Sequence, residues 1–267
     1  MTPFDLPMRD ALSANENTMP GDSANGAAND LRSYLQRSAA LRSRALAETA
    51  RRSEPHASAL SNGRIGPAFK SLNSLLDHLR ACLSADAPRV VLVVAARPEI
   101  DASRDAIRIA RAQATECRLG VLVDLHHGTI AVSDQLGIPR APGFAELASG
   151  RAGFEDIVHI DKETPLQIIP RGDRAVTIGT KRDGERLARI LDALVQVYDA
   201  VVLHAGRETA LMHQSHLAGR LRAIIAVLGS GEGKTADQVL AELAALNCPV
   251  LSLEQSVERR WFSRRSA

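Results

Sequence analysis

From about residue 64 onward the chain alternates short, unbroken apolar runs with longer stretches whose apolar residues recur at helical spacing. Val90 to Ala96 is a continuous apolar run rich in β-branched residues, the composition of a strand buried on both faces. Gly120 to Leu125, Ala200 to Leu203, Ala223 to Leu228 and Val250 to Leu253 repeat that pattern, so five core strands are expected. Helical periodicity fills Ser103 to Thr115, Asp183 to Val197 and Ala236 to Leu246. Strand and helix in alternation read as βα units on a mainly parallel sheet with helices on both faces. The expected fold class is therefore α/β, a three-layer αβα sandwich, which binds ligands beyond the carboxyl ends of its strands.

Residues 1–63 have a different character, rich in Ser, Ala, Asn and Arg with mostly small apolar residues. Such a composition buries too little to offset the entropy of ordering, and a largely disordered arm is expected, with a candidate Arg-rich helix over 30–52. Residues 64–255 form the expected folded domain. Residues 256–267 are a basic aromatic tail holding Arg259, Arg260, Trp261, Phe262, Arg264 and Arg265, suited to an acidic lipid surface or a partner, and equally to a frayed terminus.

Composition narrows the function classes. Lys+Arg 33 against Asp+Glu 31 leaves a formal charge of +2, too weak a field for nucleic acid to be the expected partner. Cys82, Cys117 and Cys248 stand far apart with no CxxC spacing, which suggests neither a disulfide framework nor a zinc knuckle and places the protein in a reducing cytoplasm. No run approaches the roughly 18 apolar residues of a membrane span, and Met1 to Asp22 lacks the order of a signal peptide.

The turn after the first core strand carries the candidate chemistry. A Gly-rich turn there aims backbone N–H groups at phosphates, a Lys neutralises them and a Ser/Thr helps to hold magnesium. This chain reads Ala96-Arg97-Pro98-Glu99-Ile100-Asp101-Ala102-Ser103, with no Gly and no Lys. Glu99 and Asp101 bring negative charge to a helix N-terminus that would otherwise favour an anion. Asp101 and Ser103 also read simply as the pair that starts the next helix.

Further segments follow in order: Asp124-Leu125-His126; Gln135-Leu136-Gly137-Ile138-Pro139; Pro142-Gly143-Phe144 to Leu147-Ala148-Ser149-Gly150; Ile168-Ile169-Pro170-Arg171-Gly172; and Tyr198-Asp199-Ala200-Val201-Val202-Leu203-His204. In order and spacing, from about Pro67 to Glu254, the chain resembles the bacterial tyrosine kinases of capsule and exopolysaccharide synthesis, relatives of the partition and Min-type P-loop ATPases. The resemblance implies a P-loop NTPase-like domain over 64–255 with degenerate motifs. Ala102 stands at the family's phosphate-binding Lys, Asp124 keeps the first acid of the second motif, and His126 and His204 stand at acidic positions. Asp101, Ala102, Ser103, Asp124, His126 and His204 are thus the candidate, degenerate nucleotide site. A helix with a Glu-aromatic-Arg signature, which mediates ring assembly in the family, falls on Pro67-Ala68-Phe69-Lys70. The family's Tyr-rich tail is missing, since the two tyrosines are Tyr34 and Tyr198.

Gly229-Ser230-Gly231-Glu232-Gly233-Lys234-Thr235 is an alternative phosphate turn through Lys234 and Thr235, or else a turn that opens a helix. Leu228 occupies the first Gly position of a full phosphate loop. His126, His127 and His204, with His213 and His216 at i,i+3 spacing, raise a metal site against the simpler reading of polar replacements in a decayed pocket. The functional expectation is a non-catalytic relative of the polysaccharide tyrosine kinases. No cofactor is expected, and the partner is a membrane polysaccharide co-polymerase or export complex, with a homo-oligomer as a further option. The alternatives are a divergent ATP- and magnesium-dependent kinase or ATPase, and a partition-type adaptor.

Overall fold

The computed structural model describes residues 63–83, 89–116, 119–126, 131–173, 181–229 and 233–255. Along the chain these form β1 (Ile65–Phe69), α1 (Leu72–Cys82), β2 (Arg89–Ala95), α2 (Ser103–Glu116), β3 (Gly120–Asp124), α3 (Val132–Leu136), α4 (Phe144–Ser149), α5 (Phe154–Ile157), β4 (His159–Ile160), β5 (Leu166–Ile169), α6 (Lys181–Val197), β6 (Ala200–Gly206), α7 (Arg207–Met212), α8 (Gln214–Leu217), β7 (Ala223–Leu228), α9 (Gly233–Ala244) and β8 (Val250–Glu254). The candidate helix over 30–52 and the tail over 256–267 lie outside the described residues.

The strands pair as one sheet in the order β1-β8-β7-β2-β6-β3-β5-β4, parallel throughout except for β4. Strand β2 is central, and alternation along it sorts the core into two layers. Val90, Leu92 and Val94 face the side covered by α4 to α9, whereas Val91, Val93 and Ala95 face the side covered by α1 to α3. This is the three-layer sandwich with a mainly parallel sheet. Because the crossover from β2 runs to β3 and that from β6 runs to β7, the carboxyl ends of β2, β6 and β3 meet where the chain direction reverses, the place such sheets use for ligands.

Among the described residues the sheet has eight strands where five were expected, β1, β4 and β5 being the additions, and α1, α3, α4, α5, α7 and α8 join the three expected helices. Pro67 to Phe69 belongs to edge strand β1, paired in parallel with β8, so the helix expected at Pro67-Ala68-Phe69-Lys70 is absent. Pro67 suits an edge, where its missing N–H disrupts no ladder on the outer side, and Phe69 turns to the His78 ring at 5.2 Å. Helix α1, which is not among the expected helices, starts at Ser71, whose hydroxyl accepts the Ser74 N–H at 3.2 Å, and buries Leu72, Leu75, Leu76 and Leu79. Strand β6 continues past Leu203 to Gly206, so His204 sits within the ladder rather than beyond its end.

The two Gly-containing loops after α3 and β5 are one packed unit. Phe144 N–H donates to the Pro170 carbonyl at 2.7 Å and Ala145 N–H to the Arg171 carbonyl at 3.0 Å, which satisfies the open N-terminus of α4. Glu146 reaches back to accept the Gly143 N–H at 2.8 Å. A Cβ at Gly143 would lie 2.3 Å from the Gly172 nitrogen and 2.4 Å from the Pro170 oxygen, so backbone contacts backbone with no flexible atom to yield. Gly143→Ala is expected to destabilise the fold by about 1–3 kcal/mol through overpacking, read as a lower urea midpoint with an unchanged slope.

Candidate functional site

At the end of β2 the chain makes a tight turn, with Ile100 N–H donating to the Arg97 carbonyl at 3.1 Å, and then enters α2. Asp101 turns its carboxylate back onto the first turn of that helix. Its Oδ1 accepts the Ser103 backbone N–H at 3.0 Å and also the Ser103 hydroxyl. A carboxylate at this position satisfies an open helix donor and favours the positive end of the helix dipole. Gln135, arriving from α3, donates its carboxamide to Asp101 Oδ2 at 3.1 Å and to the Ser103 hydroxyl. Gln255, just after β8, donates to the Asp101 carbonyl at 2.7 Å and to Asp105 Oδ2 at 2.9 Å. Ser103 is fully buried beneath this cover, and the Ala102 methyl is buried in the α1 to α3 layer.

On the neighbouring strands, the β3–β6 register places Asp124 directly beside His204. Both are buried, and Asp124 Oδ1 lies 2.9 Å from His204 Nδ1. Asp124 also accepts the His126 N–H at 3.0 Å through Oδ1 and the Val132 N–H at 3.0 Å through Oδ2. Burial pushes the Asp124 carboxyl up, but the His204 hydrogen bond and charge, with the two backbone donors, outweigh it and hold the group below the usual carboxylate range. An ionised carboxylate only accepts, so His204 Nδ1 carries the proton of this bond. His204 Nε2 is buried with no hydrogen-bond partner among the described residues. The His126 ring leans on that of His204, with centroids 4.9 Å apart, and His126 Nδ1 lies 3.2 Å from where a Cβ on Gly206 would stand.

These groups form two neighbouring sets at the carboxyl end of the sheet, Asp101, Ala102 and Ser103 where the turn after β2 enters α2, and Asp124, His126 and His204 at the end of β3 and within β6, joined through α3. Gln135 and Gln255 complete the first set. Their contacts span 32 to 154 residues along the chain, and sequence offered only the polarity of Gln135 as a signal. Lys234 and Thr235 lie in the first turn of α9, which begins at Gly233, and their side chains are outside the described residues, as is His127. His213, at the junction of α7 and α8, and His216 stand on one turn: the His216 N–H donates to the His213 carbonyl at 2.8 Å and their ring centroids are 6.4 Å apart. The His216 ring also rests on Gly184 of α6, its Nε2 2.1 Å from where a Cβ on that glycine would stand. Among the described residues no group of three or more His, Cys, Asp or Glu is arranged to hold a metal ion.

Magnesium triphosphate needs free backbone donors at the α2 N-terminus, a cation beside them and oxygen ligands for the metal. Here the Ser103 N–H is bound by Asp101, Ala102 supplies no charge, the Ser103 hydroxyl is bound by Asp101 and Gln135, and Asp124 is bound by His204. The residues present do not fit that ligand. Tyr198 is buried with its hydroxyl on Gln167, which leaves it unsuited to accept a phosphoryl group.

No protein-family model and no curated protein matches the sequence. Solved structures do. The chain superposes on the VpsO kinase domain with a TM-score of 0.57 at 19% identity, covering 68% of this chain and 90% of that one. For the BceF tyrosine kinase domain the values are 0.55 and 21%, covering 69% and 76%. A plasmid partition protein from Borrelia burgdorferi gives 0.50 and 15%, covering 66% and 84%. The fold is that of the bacterial tyrosine kinase domains and their P-loop ATPase relatives. At such low identity the likeness concerns architecture, and function rests on the site.

Removing His204 leaves Asp124 buried without its side-chain partner. His204→Ala is expected to cost about 3–5 kcal/mol at pH 7, measured by chemical denaturation. Because the folded pKa of Asp124 is lowered, its contribution is full above the unfolded pKa and is lost as pH falls through the folded value. The cost of His204→Ala should therefore shrink in acid, below about pH 4.

Proposed function

We propose that this protein is a non-catalytic relative of the polysaccharide tyrosine kinases, a cytoplasmic regulatory or scaffold partner in exopolysaccharide or capsule biosynthesis. It acts by contact with a membrane polymerisation or export complex and not by turnover. One observation carries this reading: the Asp101 carboxylate is seated on the α2 N-terminus, where a phosphate-binding enzyme needs open donors, with a buried methyl at Ala102 in place of a cation. The polysaccharide connection comes from the order of the Gly- and Pro-containing motifs and from the kinase folds that the chain matches. Among the described residues no helix is long and apolar enough to cross a membrane.

A second reading rests on the Gly-rich segment between β7 and α9. It stands between a strand and a helix, as a phosphate loop does, and offers Lys234 and Thr235, which would make the protein a divergent ATPase or kinase. Thermal unfolding with ATP and magnesium separates the two. The non-catalytic reading predicts no shift, whereas a working site at 100 times its Kd would add about 2.7 kcal/mol. A shift that Lys234→Ala abolishes would establish the second reading in place of the first. Loss of polymer on gene deletion, restored by the wild-type chain, is the expected cellular result.

A further inference from the structure

The two sets of polar groups are more than an emptied site, because each contains an internal group where a bound ligand would otherwise act. Asp101 brings an anion to the donors of α2, a helix of 14 residues. His204 brings an N–H donor to Asp124, and its Nε2 has no other use among the described residues. The two are tied together: Gln135 holds Asp101 and Ser103 from α3, and the first N–H of α3, from Val132, is held by Asp124. Gln255 adds the end of β8 to the same turn by its side chain, and its N–H on the Leu228 carbonyl at 2.9 Å ties that end to β7. The segments after β2, β3 and β8 are thereby crosslinked.

We propose that the chain is self-liganded: Asp101 and His204 take the places of an anion and a cation, and Gln135 couples them into a latch that holds the loops in one state without any nucleotide. The proposal rests on the non-catalytic reading and deepens it, since a partner would then meet a permanently set surface over α3 and the α2 turn. The physical basis is that each hydrogen bond of the latch joins two groups of the chain, so breaking one leaves a buried polar group without its partner while the others still hold it from water, and that penalty resists opening.

Amide hydrogen exchange over residues 97–106 and 131–136 tests this on the full chain, with inorganic phosphate as the probe. In the wild type, protection is expected to be the same with and without millimolar phosphate. Asp101→Gly removes the internal anion, and protection should fall roughly tenfold or more and return with phosphate, which now reaches the freed donors of α2. Gln135→Ala keeps Asp101 in place, so protection over 131–136 should fall without return. Circular dichroism establishes that each variant folds, and if Asp101→Gly does not, Gln135→Ala decides. Wild-type protection in either variant, or a loss in Asp101→Gly that phosphate does not reverse, overturns the latch while leaving the non-catalytic reading intact. Nucleotide binding by the wild type would overturn the non-catalytic reading itself.

Discussion

A carboxylate cannot be left in a protein interior without donors around it, and the arrangement at the carboxyl edge of this sheet follows from that constraint at Asp124. Its burial is imposed by β3, which lies between β5 and β6 with every residue covered. Desolvation alone would favour the protonated acid. Three donors reverse that preference, and each defines something: His126 N–H sets the exit of the chain from β3, Val132 N–H sets the start of α3, and His204 joins β3 to β6. Breaking any one would leave the buried charge with fewer donors than it needs, so the chain is held both where it leaves β3 and where it enters α3.

The same logic explains why His204 belongs with Asp124. In a parallel ladder the register decides which side chains face each other, and here it sets position 204 against position 124. Two carboxylates at that spacing require a cation between them; one carboxylate and one imidazole do not. At the neighbouring turn Asp101 performs the complementary task, supplying negative charge to a helix end that would otherwise seek it from solution. The end of α2 and the buried Asp124 thus both have their electrostatic demand met by groups of the chain itself.

Much of this was legible in the chain. Buried parallel strands are unbroken apolar runs because both faces are covered, so Arg89–Ala95, Gly120–Asp124, Ala223–Leu228 and Val250–Glu254 were found within a residue at either end. The order of Gly- and Pro-containing loops was visible because close backbone approach admits only Gly at positions such as Gly143. Edge elements were not legible. Strand β1 carries Pro67 and exposed Ile65, and its pairing with β8, far away along the chain, leaves no local period. Strand β6 was expected to stop at Leu203 because a polar residue ends an apolar run, whereas Asp124 provides the partner that lets His204 lie buried within the ladder.

The sequence by itself determined the central buried strands, the layering and the absence of Gly and Lys at the turn after β2, all of which depend on the identity and spacing of nearby residues. Only the tertiary structure decided that Asp101 faces back onto α2, that Asp124 and His204 are partners, and that Gln135 and Gln255 reach the same turn. Those facts depend on strand order and register, which bring together residues far apart in the chain. Compensation between distant charges is invisible to local pattern, because each residue alone reads as a loss, and only their contact shows that one loss offsets another.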